Sequence, residues 1–209
     1  MLIFKKVQFY MEIGVTPKVA VLTNDLQYEF TYKISKSPEE LEEKLTKFNE
    51  FLNGIRNLNH QVIHLQLIND PNDPAVQKRY KNREGGIPAL TGRPENQILK
   101  TISHSSDIVV VKGRDTGFYN NDLDGILKKL GVNSVIVTGL QTHVCVQTTA
   151  ADAYFRGYNV WVPSDGVFAP SIDDTNRALE WLANYCATVA SSSEILALLE
   201  KQDDLPERS

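Results

Sequence analysis

Residues 135–157 constrain the fold more than any other part of this chain. They read Val-Ile-Val-Thr-Gly-Leu-Gln-Thr-His-Val-Cys-Val-Gln-Thr-Thr-Ala-Ala-Asp-Ala-Tyr-Phe-Arg-Gly. Residues 135–139 form a β-branched apolar run closed by glycine. Beyond a short polar turn, residues 144–155 carry apolar side chains at helical spacing. The pattern predicts a strand, a tight turn and a helix. The turn delivers Cys145 to the opening of that helix, where unpaired backbone N–H groups and the positive end of the macrodipole favour a thiolate. Cys145 is therefore a candidate nucleophile.

Similar units recur along the chain. Residues 19–23 are a continuous apolar run of the kind buried on both faces, ending at Asn24-Asp25-Leu26-Gln27. Ser37-Pro38-Glu39-Glu40 opens a helix with an N-cap, a first-position proline and early carboxylates, and Leu41, Leu45, Phe48, Leu52 and Ile55 continue it. Further strands are expected over 61–68, 108–111 (again a buried-type run), 158–162 and 187–190, with helices near 122–130, 173–184 and 192–200. Strands alternating with helices imply an α/β fold: a mostly parallel sheet flanked by helices, with any site at the strands' C-terminal ends. Residues 69–93, rich in proline and glycine and holding Lys78, Arg79, Lys81 and Arg83, are expected to be a long irregular loop, serving as a lid, a binding loop or a solvated surface.

Composition narrows the function classes. At 209 residues the expectation is a single domain, 1–209, with residues 1–16 as an N-terminal arm or extra strand. Lys plus Arg number 22 against 26 Asp plus Glu, a net charge of −4, so no basic field draws the chain to nucleic acid. Two cysteines are too few for a disulfide framework or a zinc site, which fits a reducing compartment. The first residues have neither a signal-peptide core nor the length of a membrane span, so the expected place is the cytoplasm, away from membranes. There is no Gly-x-Gly-x-x-Gly and no Walker A motif to support a nucleotide cofactor.

Asp25, Lys112 and Cys145 each lie at or just after the end of an expected parallel strand. In this architecture those ends share one edge of the sheet. Asp25 is then placed to accept the thiol proton, and Lys112 to stabilise both the thiolate and the carboxylate. His143 is two residues before Cys145, and side chains so spaced at a helix start diverge. Cys186, in an apolar run, reads as packing.

Asp25-Leu-Gln-Tyr-Glu-Phe30, Lys112-Gly-Arg-Asp-Thr-Gly-Phe118 and Thr138-Gly-Leu-Gln-Thr-His-Val-Cys-Val146 together resemble the isochorismatase-like cysteine hydrolases, and the likeness extends over about residues 17–195. The resemblance implies a Rossmann-like three-layer α/β/α fold with a mostly parallel six-stranded sheet, and a catalytic triad of Asp25, Lys112 and Cys145. It also implies a cis peptide between Leu140 and Gln141, an oxyanion hole from the amides of Gln141 and Cys145, and a homo-oligomer, dimer or tetramer. The activity implied is hydrolysis of a C–N bond in a small amide or ureido substrate through a thioester. The alternatives are a non-catalytic binding member of the fold, or a hydrolase of another small substrate, an ester or a vinyl ether. Nicotinamidases of the family hold zinc or iron with an Asp-x-His and a further His. The corresponding stretch here offers only Asp70, short of the three ligands a catalytic metal needs, so neither metal nor cofactor is expected. Tyr28, Phe30, Gln66, Asn69, Phe118 and Tyr119 flank the expected pocket as candidate lining.

Overall fold

The computed structural model describes residues 18–208. The strands are β1 (Val19–Asn24), β2 (Gln61–Leu67), β3 (Ile108–Lys112), β4 (Ser134–Leu140), β5 (Asn159–Pro163), β6 (Val167–Phe168) and β7 (Thr188–Ala190). The helices are α1 (Pro38–Asn57), α2 (Pro74–Tyr80), α3 (Leu123–Leu130), α4 (Gln147–Phe155), α5 (Ile172–Tyr185) and α6 (Ser192–Leu199). The expected arm at 1–16 lies outside the described residues.

The sheet order is β3-β2-β1-β4-β5-β7, with the short β6 paired to the end of β4, and every strand pair is parallel. Strand periodicity makes the sheet two-faced. Ala20 and Leu22 of β1 face α3, α4 and α5 across one apolar cluster, while Val19 and Val21 face α1 and α6 across the other. The result is the three-layer α/β/α fold. Its core comes from continuous apolar strands, which is why β1 and β4 are buried along their whole lengths.

Local chemistry explains the boundaries. The Ser37 hydroxyl accepts from the Glu40 amide at the start of α1, as its N-cap pattern predicts, with Pro38 in the first turn. The chain leaves α3 at Gly131, where φ is 75°, a left-handed conformation that glycine adopts without a steric penalty. Two expectations are corrected. Residues 69–93 are not wholly irregular: Asp73 caps α2, accepting from the amides of Ala75 and Val76, and Pro74 opens the helix. β3 is not buried on both faces: among the described residues it is the edge strand, and Val109 and Val111 are half exposed. The two-residue β6 has no periodicity to read and was not expected.

Candidate active site

Three strand ends build the site. β1 runs into Asp25, whose amide donates to the Leu65 carbonyl of β2 at 3.0 Å and whose φ of 53° turns the chain sharply out of the sheet. Aspartate tolerates this left-handed conformation better than most residues. β3 ends at Lys112, register partner of Leu67. β4 leads through Gly139 and Leu140 into a π-type turn, Thr142–Val146, that carries Cys145. At Gly139 φ is 95°, and any Cβ would collide with the Asn24 backbone, so only glycine lets β4 approach β1 this closely. The peptide between Leu140 and Gln141 is cis.

These ends bring the three residues together. Lys112, fully buried, donates from Nζ to Asp25 Oδ2 at 3.1 Å and to the carbonyls of Arg114 and Asp115 at 3.2 and 3.0 Å, which uses all three of its donors. Asp25 Oδ1 is buried without a hydrogen-bond partner among the described residues. Asp25 and Cys145 line one cavity of about 180 Å³ with Phe30, Lys33, Leu67, Arg79, Tyr80, Arg83, Pro88, Asp115, Leu140, Gln141 and Val144. Behind it, Thr149 of α4 donates to Asn24 Oδ1 at 3.1 Å and accepts from the Gly117 amide at 3.0 Å, while Asn24 Nδ2 donates to the Thr138 carbonyl. That network holds α4, β1 and β4 in register beneath the thiol.

The electrostatics differ from a simple helix-end thiolate. Burial pushes the Asp25 carboxyl above the usual carboxylate range, against the opposing pull of Lys112. Burial and the Asp25 charge push the Cys145 thiol well above its ordinary value, and Lys112 offsets only part of this. Lys112 itself is raised despite its own burial, held charged by Asp25 and Cys145. The upward shift of Cys145 favours its neutral thiol form over the thiolate.

Of the expected lining residues only Phe30 faces the cavity; the others require correction. Tyr28 is an exposed side chain whose hydroxyl accepts from the Lys100 amide, and Gln66 donates to the Asn96 carbonyl. Asn69 is tied to the Pro88 carbonyl at 2.7 Å beside a smaller neighbouring cleft. Phe118 is in the core stacked on Tyr158, and Tyr119 lies outside beneath Arg114. From the basic cluster Arg79 and Arg83 line the cavity, whereas Lys78 and Lys81 are exposed outside it. Lys33, Tyr80 and Asp115 were not foreseen. Asp115 stood inside the Lys112-Gly-Arg-Asp motif, one helical-turn length from Lys112, and only its charge hinted at a role. His143 does not line the cavity, and Cys186 is buried in the core. Asp70 accepts from the Asn72 amide in its own turn, and among the described residues no group of three or more His, Cys, Asp or Glu side chains has metal-ligand placement.

The parallel sheet, and the acid, lysine and cysteine at its carboxyl edge, define a protein of the isochorismatase-like class. The isochorismatase domain model matches residues 19–194, and the chain belongs to that family. A cysteine hydrolase from Pseudomonas syringae pv. phaseolicola 1448A superposes with a TM-score of 0.75 at 23% identity over 88% of this chain and 93% of that one, a likeness of fold. N-carbamoylsarcosine amidase from Thermoplasma acidophilum is similar at a TM-score of 0.68 and 28% identity over 84% of this chain and 96% of that one. Ureidoacrylate amidohydrolase of Enterobacter sp. (strain 638) is 34% identical over 120 residues, 54% of this chain and 52% of that protein. The matched stretch spans about half the length of the curated relatives.

Proposed function

We propose that this protein is a cysteine hydrolase that cleaves a C–N bond of a small, carboxylate-bearing amide or ureido compound. The observation that carries this reading is that Asp25 and Cys145 line one cavity while the fully buried Lys112, ion-paired with Asp25 at 3.1 Å, lies behind them. The Asp25 carboxylate interacts with the Cys145 thiol, so it is placed to take the thiol proton.

The catalytic roles follow from that arrangement. Asp25 accepts the thiol proton as sulfur attacks the carbonyl carbon, and Lys112 balances whichever of the two carries the negative charge. The amides of Gln141 and Cys145, at the cavity wall, receive the oxyanion, an interaction worth about 3–4 kcal/mol in comparable sites. Protonated Asp25 then gives its proton to the departing nitrogen and the C–N bond breaks. A water deprotonated by Asp25 attacks the thioester and releases the free thiol.

The carboxylate preference rests on Lys33 and Arg83, which line the cavity and have no carboxylate ion pair among the described residues. Burial lowers the Lys33 ammonium, and the Cys145 and Asp25 charges oppose that shift, so it lies within electrostatic reach of the reacting groups. Ureidoacrylate and N-carbamoylsarcosine, named in two relatives, both pair a ureido group with a carboxylate. The test is ammonia release from a panel of small amides and ureido compounds with and without a carboxylate. Turnover of carboxylate-bearing members is expected, abolished in Cys145→Ala along with any covalent adduct seen by mass spectrometry. Full activity of Cys145→Ala would sink the assignment.

A further inference from the structure

The cavity holds a second carboxylate that the proposed chemistry does not use. Asp115 Oδ1 lies 3.8 Å from Cys145 Sγ, and its Oδ2 is ion-paired with Arg79 Nη1 at 2.7 Å. Its backbone carbonyl accepts from Lys112 Nζ, which anchors the residue beside the nucleophile. The sulfur therefore faces two carboxylates, Asp25 and Asp115. Two cations meet them, Lys112 on the first and Arg79 on the second. The remaining charges at the cavity are Lys33 on the segment after β1 and Arg83 after α2, with Tyr80 the one other titratable group on its wall.

We infer that the Arg79–Asp115 pair positions and tunes Cys145: Asp115 restrains the thiolate, and Arg79, by neutralising Asp115, permits it to form. This rests on the reading of Cys145 as the nucleophile, and it divides the three cations of the cavity by role. Arg79 is committed to Asp115 and serves the sulfur. Lys33 and Arg83, with no carboxylate of their own, are left for the substrate anion.

The physical reason is distance. At 3.8 Å a negative charge in a partly wet cavity acts strongly on the thiolate, and its counter-ion acts in the opposite sense. The guanidinium paired with Asp115 offsets part of that repulsion, so losing it disfavours the thiolate further. Asp115 also adds to the upward displacement of the thiol, in the direction this charge balance requires. The pair is partly exposed, with side-chain accessibilities of 44% for Arg79 and 28% for Asp115, so its replacement leaves the apolar core intact.

The test measures the rate of Cys145 alkylation by iodoacetamide at pH 7.5, followed by mass spectrometry in a Cys186→Ser background, because that rate follows the thiolate fraction. Relative to the parent, Asp115→Asn is expected to react about 10-fold faster and Arg79→Gln about 10-fold slower, each equivalent to about one pH unit. The double variant is expected to return near the parent rate, since the two opposite fields at the sulfur add and Arg79 also acts on Cys145 directly. Arg83→Gln is expected to raise KM for a carboxylate substrate and leave the alkylation rate within about 2-fold. Equal rates in the parent and the two single variants, including no reaction in any, would overturn the inference, as would a double variant as slow as Arg79→Gln alone. If the rates behave as expected but no carboxylate-bearing amide is turned over, the substrate reading fails and the tuning role of the pair stands.

Discussion

At the scale of single residues the site is a problem in charge counting. Lys112 is fully buried with its three donors spent, and the groups it serves are Asp25 and the two carbonyls that close the loop after β3. Lys112→Met removes the buried cation ion-paired with Asp25 and acting on both members of the Asp25–Cys145 pair. We expect kcat to fall by about 10²–10⁴-fold, measured in steady state on the best amide of the panel. Asp25 must be ionised to accept the thiol proton, and its burial raises the pH at which it ionises. Activity is therefore present above that raised pKa and is lost as pH falls through it. The acid limb of kcat/KM is expected to lie above the ordinary carboxylate value of about 4; a limb at or below that value would contradict the burial argument. Gly139→Ala is expected to destabilise the fold by roughly 2–4 kcal/mol in urea, because the added methyl meets the Asn24 backbone and φ is left-handed.

Whole elements are held around the site by a second buried network. Asp107, just before β3, accepts from Arg56 of α1 through Nε at 3.1 Å and Nη2 at 2.7 Å, from the His104 amide at 2.8 Å, and lies 3.0 Å from His64 Nε2 of β2. The His64 Nδ1 in turn meets the Thr23 hydroxyl of β1 at 2.7 Å. Burial works against the ionised Asp107 carboxylate, yet His64 and Arg56 hold it well below the usual range, at about 2. A depressed carboxylate stabilises the fold above its unfolded value and stops doing so as pH falls through its folded one. Stability is thus expected to drop by roughly 2 kcal/mol between pH ~4 and ~2, measured by urea unfolding. Asp107→Asn should remove that acid-dependent component and cost about 3 kcal/mol near neutrality, since it strands Arg56. Element patterning was legible where caps and periodicity were strong, as at Ser37-Pro38. α2 escaped notice because the prolines at 71 and 74 read as breaks, although Pro74 sits in the first turn, where proline is tolerated.

At the scale of the molecule, local and global charge have opposite signs. The chain carries a net charge of −4, while Lys33, Arg79 and Arg83 crowd one small cavity. Screening acts over about 8–10 Å at physiological salt, so a small anion at the cavity mouth feels the cavity and little of the remote surface. For a carboxylate substrate kcat/KM is expected to decline as sodium chloride rises from 20 to 500 mM, and for a neutral amide to stay flat; the same slope for both would show that these cations do not engage the anion. Among the described residues no helix is long and apolar enough to cross a membrane.

The sequence by itself determined the alternation of apolar strands and capped helices, and with it a parallel sheet whose strand ends present Asp25, Lys112 and Cys145. Those features are local: a strand's period, a helix's cap and a glycine turn are set by residues a few positions apart. Only the tertiary structure decided that Arg79 and Arg83 enter the cavity while Lys78 and Lys81 do not, and that Asp115 faces the sulfur. It also placed Phe118 in the core and Tyr28 outside. Which loop side chains meet depends on the path of the long β2–β3 connection, which no short-range periodicity records. The protonation state of Cys145 belongs to the same category, because desolvation and the fields of Asp25, Lys112 and Asp115 exist only once segments some 120 residues apart are folded together.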